Sequence, residues 1–193
     1  DTGGTGSDEI EFRQARLLFP SRYGTFVVGP RTVSGQQLDL YGAIDLFEIN
    51  EAHRSSISPM FRQAETASNT LAYVTPKFHN IYAAFSELTL EDNNGKNVDV
   101  YSYRVVYKDG ALRLGAGQVV TRKDMLPGER NYRRSAVTVG YDFDRAKLGV
   151  TFEDNKHDPV GDSQVLGVAG QYQLTDEWGV GLGYIDKHWK NKE

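Results

Sequence analysis

The fold is decided by residues 163–186, SQVLGVAGQYQLTDEWGVGLGYID, in which side chains of two kinds alternate. Bulky apolar side chains such as Leu166 and Val168 occupy one parity, while small or polar ones such as Gly167 and Gln171 occupy the other. A period of two is that of a β-strand, because successive side chains of a strand point to opposite faces. The alternation breaks once, at Asp-Glu, so the stretch predicts a hairpin with one apolar face and one small or polar face.

The same alternation recurs along most of the chain, and the connections between the runs are alternately short and long. Transmembrane β-barrels show this pattern, with tight turns at one rim and longer loops at the other. A strand with one apolar face and one small or polar face is suited to the wall of a barrel that has lipid outside and water inside. The sequence therefore predicts an all-β, antiparallel transmembrane barrel. The predicted strands are 9–19, 25–31, 69–75, 80–90, 98–107, 111–121, 131–141, 145–154, 163–175 and 178–186.

Aromatic residues support the membrane interpretation by gathering in two sets. An apolar band bounded by two aromatic girdles is typical of a barrel that meets both membrane interfaces. The set beside the short turns is Phe19, Tyr23, Phe78, Tyr82, Tyr107, Tyr141, Phe143, Tyr172 and Trp178. The set near the far ends of the strands is Phe85, Tyr101, Tyr132, Phe152 and Tyr184.

Composition excludes several classes of function. The chain has 193 residues, a net charge of −4 and no cysteine, so it carries neither the basic footprint of a nucleic-acid-binding protein nor a thiolate metal site. Its mean hydropathy is −0.52, and no run approaches the roughly 20 apolar residues of a membrane-spanning helix. The four histidines lack metal-ligand spacing, and the Gly-x-Gly runs lie inside predicted strands. We therefore expect no cofactor, no metal and no enzyme activity.

A soluble β-sandwich or lipocalin-like barrel explains the alternation equally well, with its apolar face turned into a core. Such a protein would bind a small apolar ligand. It explains the alternating connection lengths and the paired aromatic sets poorly, so the membrane barrel is favoured.

Residues 31–68 interrupt the pattern. Connections in compact domains are usually about 4–6 residues long, and this one interleaves many apolar residues with acids. A long, half-apolar, acidic loop between strands predicts a loop folded back into a hollow interior. If the short turns are periplasmic, both the first and the last predicted strand leave their free ends outside the cell, so we also expect an internal portion of a larger barrel.

The stretches FRQARLLFPSRYGTFVVGPRT, NTLAYVTPKFHNIYAAFSEL and LGVAGQYQLT resemble one family, the general Gram-negative outer-membrane porins. FRQARLLFPSRYGTFVVGPRT (12–32) resembles one strand–turn–strand unit of that family, and NTLAYVTPKFHNIYAAFSEL (69–88) resembles the next hairpin. LGVAGQYQLT (166–175) fits a later hairpin. The resemblance implies roughly 16 strands in the complete barrel, with residues 31–68 as the constriction loop in the lumen. It also implies a homotrimer in the outer membrane, in contact with lipid and lipopolysaccharide, that passes small hydrophilic solutes.

Charged groups that would line the pore follow from strand parity and from the resemblance. Arg13 matches the inward arginine of the family. Parity places four further basic residues on the inner face, because a charge facing lipid at mid-depth costs about 2–4 kcal/mol. These residues are Arg104, Arg113, Arg134 and Lys147. The acids of the candidate constriction loop are Asp39, Asp45, Glu48 and Glu51.

Bases on the wall and acids on the loop would set up a transverse electric field that orders water and disfavours apolar solutes. Some of the arginines could instead anchor the loop through salt bridges. The predicted function is passive diffusion of small hydrophilic solutes and ions through an outer-membrane channel. The alternatives are a substrate-selective channel, the soluble binder of an apolar ligand, and a barrel that serves as a structural or docking surface.

Overall fold

The computed structural model describes residues 17–29, 32–33, 66–67, 69–89, 99–122 and 130–190. In these residues the chain forms twelve β-strands, and no helix is long and apolar enough to cross a bilayer. The strands are β1 (Leu17–Ser21), β2 (Gly24–Gly29), β3 (Thr32–Val33), β4 (Thr66–Ala67), β5 (Asn69–Val74), β6 (Ile81–Thr89), β7 (Val100–Asp109), β8 (Leu112–Thr121), β9 (Tyr132–Asp142), β10 (Ala146–Lys156), β11 (Ser163–Gln173) and β12 (Gly179–Trp189).

Ten of these strands form one antiparallel sheet in the order β1-β2-β5-β6-β7-β8-β9-β10-β11-β12. Each strand pairs with its neighbour along the chain, as the ten predicted strands require. The two short strands β3 and β4 form a separate ribbon, with Thr32 opposite Ala67 and Val33 opposite Thr66. In the described residues β1 and β12 each pair with one strand only, so the sheet is an open, barrel-like wall.

The two faces of the sheet differ as the alternation predicts. On β10, Leu148 is 54% exposed and Val150 is 42% exposed, whereas Thr151 and Glu153 on the opposite face are fully buried. The face that carries the bulky apolar side chains is called the outer face here, and the other the inner face. Because the aliphatic residues lie outside rather than in a core, the structure favours the membrane barrel over the soluble barrel or sandwich.

The strand register is staggered along the sheet. One row of directly opposed residues crosses all ten strands on the outer face. On β1 the row passes through Phe19, two residues before the strand ends at Ser21 beside its short turn. On β12 it passes through His188, nine residues after the strand begins at Gly179 beside its short turn. A steady stagger is the geometry of strands tilted about 35–45° to a barrel axis. The row consists of Phe19, Phe26, Tyr73, Phe85, Tyr103, Gln118, Ser135, Asp154, Gln164 and His188.

The first hairpin turns at Gly24, where the backbone requires glycine. Its φ is +129°, and a Cβ built there would lie 2.5 Å from the carbonyl oxygen of Val74. The Tyr73 hydroxyl donates a hydrogen bond to the carbonyl of Tyr23 at the same place. The missing side chain therefore lets β5 approach the turn of the β1–β2 hairpin closely.

Most residues of the two aromatic sets lie on the outer face or in the short turns, but each set contains one residue of the inner face. Tyr23, Phe78 and Trp178 beside the short turns are all strongly exposed, as an interfacial belt requires. Tyr132, predicted in the second girdle, is instead buried on the inner face, where its hydroxyl donates to Asn155 Oδ1 at 3.0 Å. Strand parity decides the side: Tyr132 shares a parity with the inner residue Arg134, and Tyr82, predicted in the first girdle, is opposite the inner residue Val106. The assignment of these two residues to outer girdles was wrong.

Candidate pore wall

The inner face combines small and polar side chains with buried apolar ones. One row across it runs from β6 to β12, with glycine and threonine residues at its centre and apolar or aromatic residues at its two ends. It consists of Tyr82, Val106, Gly115, Thr138, Thr151, Gly167 and Ile185. Glycines leave room beside the wall, and hydroxyls offer hydrogen bonds to water or to a neighbouring segment. This face can therefore border a wet interior.

The four predicted basic residues in the described part of the chain, Arg104, Arg113, Arg134 and Lys147, have the parity of the inner face. They lie at different heights along the strands. Arg113 and Lys147 are each one residue beyond the first residue of their strands, β8 and β10, next to short turns. Arg104 is near the middle of β7, and Arg134 is near the far end of β9. The structure thus distributes these charges over the wall and does not bring them together at a single level.

A cluster of three cations lies at the short-turn end of the inner face. Lys108 on β7 is directly opposite Arg113 on β8. Both line a cavity of about 370 Å³ together with Lys77, which lies in the turn between β5 and β6. Like charges placed directly opposite each other repel, and water or a bound anion lowers that cost. The cluster of Lys77, Lys108 and Arg113 therefore places three positive charges around one cavity at this end of the wall.

Arg134 lies on the predicted face, but its surroundings are not those of a group in open water. It is only 5% exposed, and its Nε atom is buried without a hydrogen-bond partner among the residues that the structure describes. Its directly opposed neighbours are Val119 on β8 and Asn155 on β10. A guanidinium held this way is shielded from water, and its role as a pore-lining residue stays a prediction.

A buried polar network lies beside Arg134 on the same face. Asn155 Nδ2 donates to Glu153 Oε1 at 2.8 Å and to Ser163 Oγ at 3.3 Å, and Asn155 Oδ1 accepts from Tyr132 Oη. Glu153, Asn155 and Ser163 are all almost completely inaccessible. Buried polar groups of this kind fix three neighbouring strands in register, because each lost partner leaves a costly unsatisfied atom. The network is thus a structural part of the wall.

Several predicted site residues lie outside the described residues. They are Arg13, Asp39, Asp45, Glu48 and Glu51. Of the candidate constriction loop, 31–68, the structure describes the two short strands β3 and β4, which pair and hold the two ends of the segment together. The loop's place in the lumen and its acidic residues stay predictions.

Sequence reasoning missed Lys108 and Lys77, because both were assigned to turns. The β7–β8 pairing extends to Asp109 opposite Leu112, so Lys108 is a strand residue with the same parity as Arg104. Extending the predicted strand 98–107 by one residue would have placed it on the inner face. Lys77 has no such signal, since only the three-dimensional turn brings it next to Lys108 and Arg113.

Comparison with known proteins gives one consistent picture. A sequence model of the family described as Gram-negative porin matches residues 1–192. Among solved structures, an anion-selective porin from Comamonas acidovorans aligns with a TM-score of 0.61 and 18% identity, over 92% of this chain and 57% of that one. No curated protein matches the sequence at a significant level.

Two structures of an outer membrane protein from Vibrio cholerae show the same fold. OmpT aligns with a TM-score of 0.60 and 15% identity, over 94% of this chain and 61% of that one. A loop-deletion mutant of OmpT aligns with a TM-score of 0.63 and 17% identity, over 91% of this chain and 62% of that one. The chain therefore spans about three fifths of the length of the structures it resembles.

Proposed function

Because the chain belongs to the Gram-negative porin family, an outer-membrane family, we propose that it forms the wall of a channel for passive diffusion of small hydrophilic solutes and ions. The observation that carries the proposal is the two-faced sheet. Exposed aliphatic residues such as Leu148 and Leu182 suit contact with acyl chains, and glycines and hydroxyls on the inner face suit contact with water. The proposal includes no chemical step on the solute.

A channel needs a closed wall, whereas in the described residues β1 and β12 each pair with one strand only, and the chain spans about three fifths of the solved structures it resembles. An open strand edge in hydrocarbon leaves N–H and C=O groups without partners at several kcal/mol each. We therefore propose that the ten-stranded sheet is part of a larger barrel. The predicted trimer and the contact with lipopolysaccharide are parts of the same proposal.

The cation cluster of Lys77, Lys108 and Arg113 supports a preference for anions at the short-turn end of the lumen. Positive charge on a low-dielectric wall raises the local concentration of anions and lowers that of cations. The solved structure from Comamonas acidovorans is that of an anion-selective porin, which makes such a preference a reasonable expectation here. Acids on residues 31–68 would oppose this potential across the lumen if the loop lies there as predicted.

Reconstitution of the purified protein into planar lipid bilayers tests the proposed function. We expect stepwise conductance increments whose size scales with salt concentration. We also expect them to occur without a threshold voltage. A folded, detergent-solubilised protein that inserts without conductance would overturn the channel and favour the structural or docking surface. A protein that stays monomeric and soluble without detergent would favour the soluble binder.

A further inference from the structure

The turn that carries Lys77, at the short-turn end of the inner face, is closed by backbone hydrogen bonds. Phe78 and Ile81 exchange two of them, of 2.8 and 2.9 Å, around the two residues at the tip. Both tip residues, His79 and Asn80, have a positive φ, of 45° and 65°, as in a type I′ turn. Because Lys77 comes directly before this closed turn, its backbone is held in a fixed place.

Lys108 is bonded to the same turn and is brought close to Arg113 by the strand register. Its backbone N–H donates to the carbonyl of Asn80 at 3.0 Å, on the side of β6. In an antiparallel ladder the N–H and C=O of one residue point to the same neighbouring strand. Lys108 and Arg113, directly opposed on β7 and β8, are therefore a non-hydrogen-bonded pair. In such pairs the Cα atoms are only about 4.5 Å apart and the side chains approach closely.

The three cations of this cluster keep their charge unpaired within the part of the chain that the structure describes. Lys77 and Lys108 are exposed, and Arg113 is half-buried. None of the three forms an ion pair with a carboxylate of the described residues. Their mutual repulsion is therefore relieved by water or by an anion that enters the cavity between them.

The two acids nearest to the cluster are directed elsewhere. Asp109 follows Lys108 in sequence but has the parity of the outer face, where it accepts a hydrogen bond from the Tyr107 hydroxyl at 3.1 Å. Asp142 lies on the inner face of β9, but it is directly opposite Lys147 on β10. An anion in the cavity would consequently meet positive groups rather than a carboxylate.

The cavity offers the donors that a phosphoryl group requires. Its volume of about 370 Å³ is within the range of small-molecule sites, roughly 300–1,000 Å³. The planar guanidinium of Arg113 can donate two parallel hydrogen bonds to one phosphoryl group, and Lys77 and Lys108 supply compact charges for the other oxygens. Thr75 also lines the cavity. Its Oγ1 accepts from the backbone N–H of Ala83 at 2.9 Å, so its own proton can be donated to an oxyanion.

We propose that the cation cluster of Lys77, Lys108 and Arg113 is a binding site for a small phosphoryl anion, either free diphosphate or the phosphate ester of a larger solute. The site goes beyond a general preference for anions, because several fixed donors select for several oxygens as well as for charge. The proposal rests on the proposed function, since the anion reaches the inner face through a water-filled lumen. A bound anion would also offset the charge of the cluster and reduce the anion preference of the channel.

Isothermal titration calorimetry of the protein in uncharged detergent tests the proposal, with sodium pyrophosphate and glucose 6-phosphate as separate probes in buffer without divalent metals. In about 0.1 M sodium chloride, exposed charges more than about 10 Å apart are largely screened, so binding reports direct contact. We expect saturation at a single site per chain. Affinity should fall about tenfold or more in Lys108→Gln/Arg113→Gln, because two charge-assisted contacts are lost, and about threefold or more in Lys77→Gln.

Two further variants control for folding and for diffuse charge. The charge-preserving swap Lys108→Arg/Arg113→Lys keeps both cations in the cavity and should bind within about threefold of the wild type. Arg22→Gln/Arg145→Gln removes the same number of cations from short turns of the same rim, outside the cavity, and should bind as the wild type. Tighter binding of pyrophosphate would identify a free diphosphate as the ligand, and tighter binding of glucose 6-phosphate a phosphate ester.

Four results would overturn the proposal. They are the absence of saturable binding of either probe, wild-type affinity in Lys108→Gln/Arg113→Gln, an equal loss of affinity in the Arg22→Gln/Arg145→Gln control, and equal affinity for nitrate, which carries a single charge. Conductance is recorded separately. A conducting protein without saturable binding contradicts this proposal alone, and a folded protein that binds pyrophosphate without conducting contradicts the channel alone.

Discussion

Thr138 on β9 and Thr151 on β10 are directly opposed on the inner face, and their hydroxyl oxygens are 2.8 Å apart. Both side chains are almost completely buried. Thr138 Oγ1 also donates to the carbonyl of Val150 at 3.2 Å, so its single proton is used there and the Thr151 hydroxyl is the donor within the pair. The pair joins two strands of the wall at a point where their neighbours in the row are glycines and aliphatic residues.

Thr151→Val should therefore destabilise the protein by about 1 kcal/mol, since the change keeps the shape and removes one hydroxyl from a buried pair. Thr138→Val should cost a similar amount, and the double variant should cost clearly less than the sum of the two. Urea unfolding in lipid vesicles, followed by tryptophan fluorescence, measures all three. Strict additivity would show that the two hydroxyls do not interact.

Gly24→Ala should destabilise the β1–β2 hairpin by about 2–3 kcal/mol, because the new Cβ would meet the Val74 carbonyl oxygen in a backbone conformation that disfavours side chains. Gly110→Ala is the matched control: its φ is +49°, and nothing lies within 4 Å of the added Cβ. The control should cost only about 1 kcal/mol from backbone conformation. Equal losses of stability in the two variants would mean that the close approach of β5 to Gly24 does not matter.

Lys108→Gln/Arg113→Gln should lower the anion-to-cation permeability ratio of the channel by roughly twofold or more, because it removes two charges from the cation cluster on the inner face. Reversal potentials under a salt gradient measure the ratio. Asp109→Asn is the control, since Asp109 is next to Lys108 in sequence but has the parity of the outer face, where Asp109 Oδ2 accepts from Tyr107 Oη at 3.1 Å. An unchanged ratio in the double variant would exclude the cluster from the conduction path.

Val150→Arg should cost about 2–4 kcal/mol of stability in a bilayer, because Val150 is on the outer face in the middle of β10. His188→Arg, also on the outer face but near the far end of β12, should cost about 1 kcal/mol or less. Folding titrations in vesicles compare the two. A cost that does not depend on position along the strand would contradict the assignment of the outer face to lipid.

Most of the wall could be predicted from the sequence because the signal is local. In a strand, parity alone decides the side of each residue, so Arg104, Arg113 and Lys147 were placed on the inner face without knowledge of their neighbours. Errors arose where the alternating pattern is not sufficient. Lys108 was assigned to a turn, although the β7–β8 pairing includes it. Tyr132 was assigned to a girdle by its distance from the turns rather than by its parity.

Other properties of the site depend on contacts between residues that are distant in sequence. The alternation of side chains along a strand does not predict such contacts. The burial of Arg134 beside Asn155 follows from how three strands pack, and its sequence context resembles that of any inner-face arginine. The meeting of Lys77 with Lys108 depends on the geometry of a turn.

The order of the strands also has a kinetic consequence. From β5 to β12 every pairing joins consecutive strands, so each can form by closing a comparatively short loop. The pairing of β2 with β5 must instead close the whole intervening segment, and the entropic cost of closure grows with its length. The β1–β2 hairpin should therefore be the last part of the sheet to join, and the β3–β4 ribbon, by bringing the two ends of that segment together first, would accelerate the step.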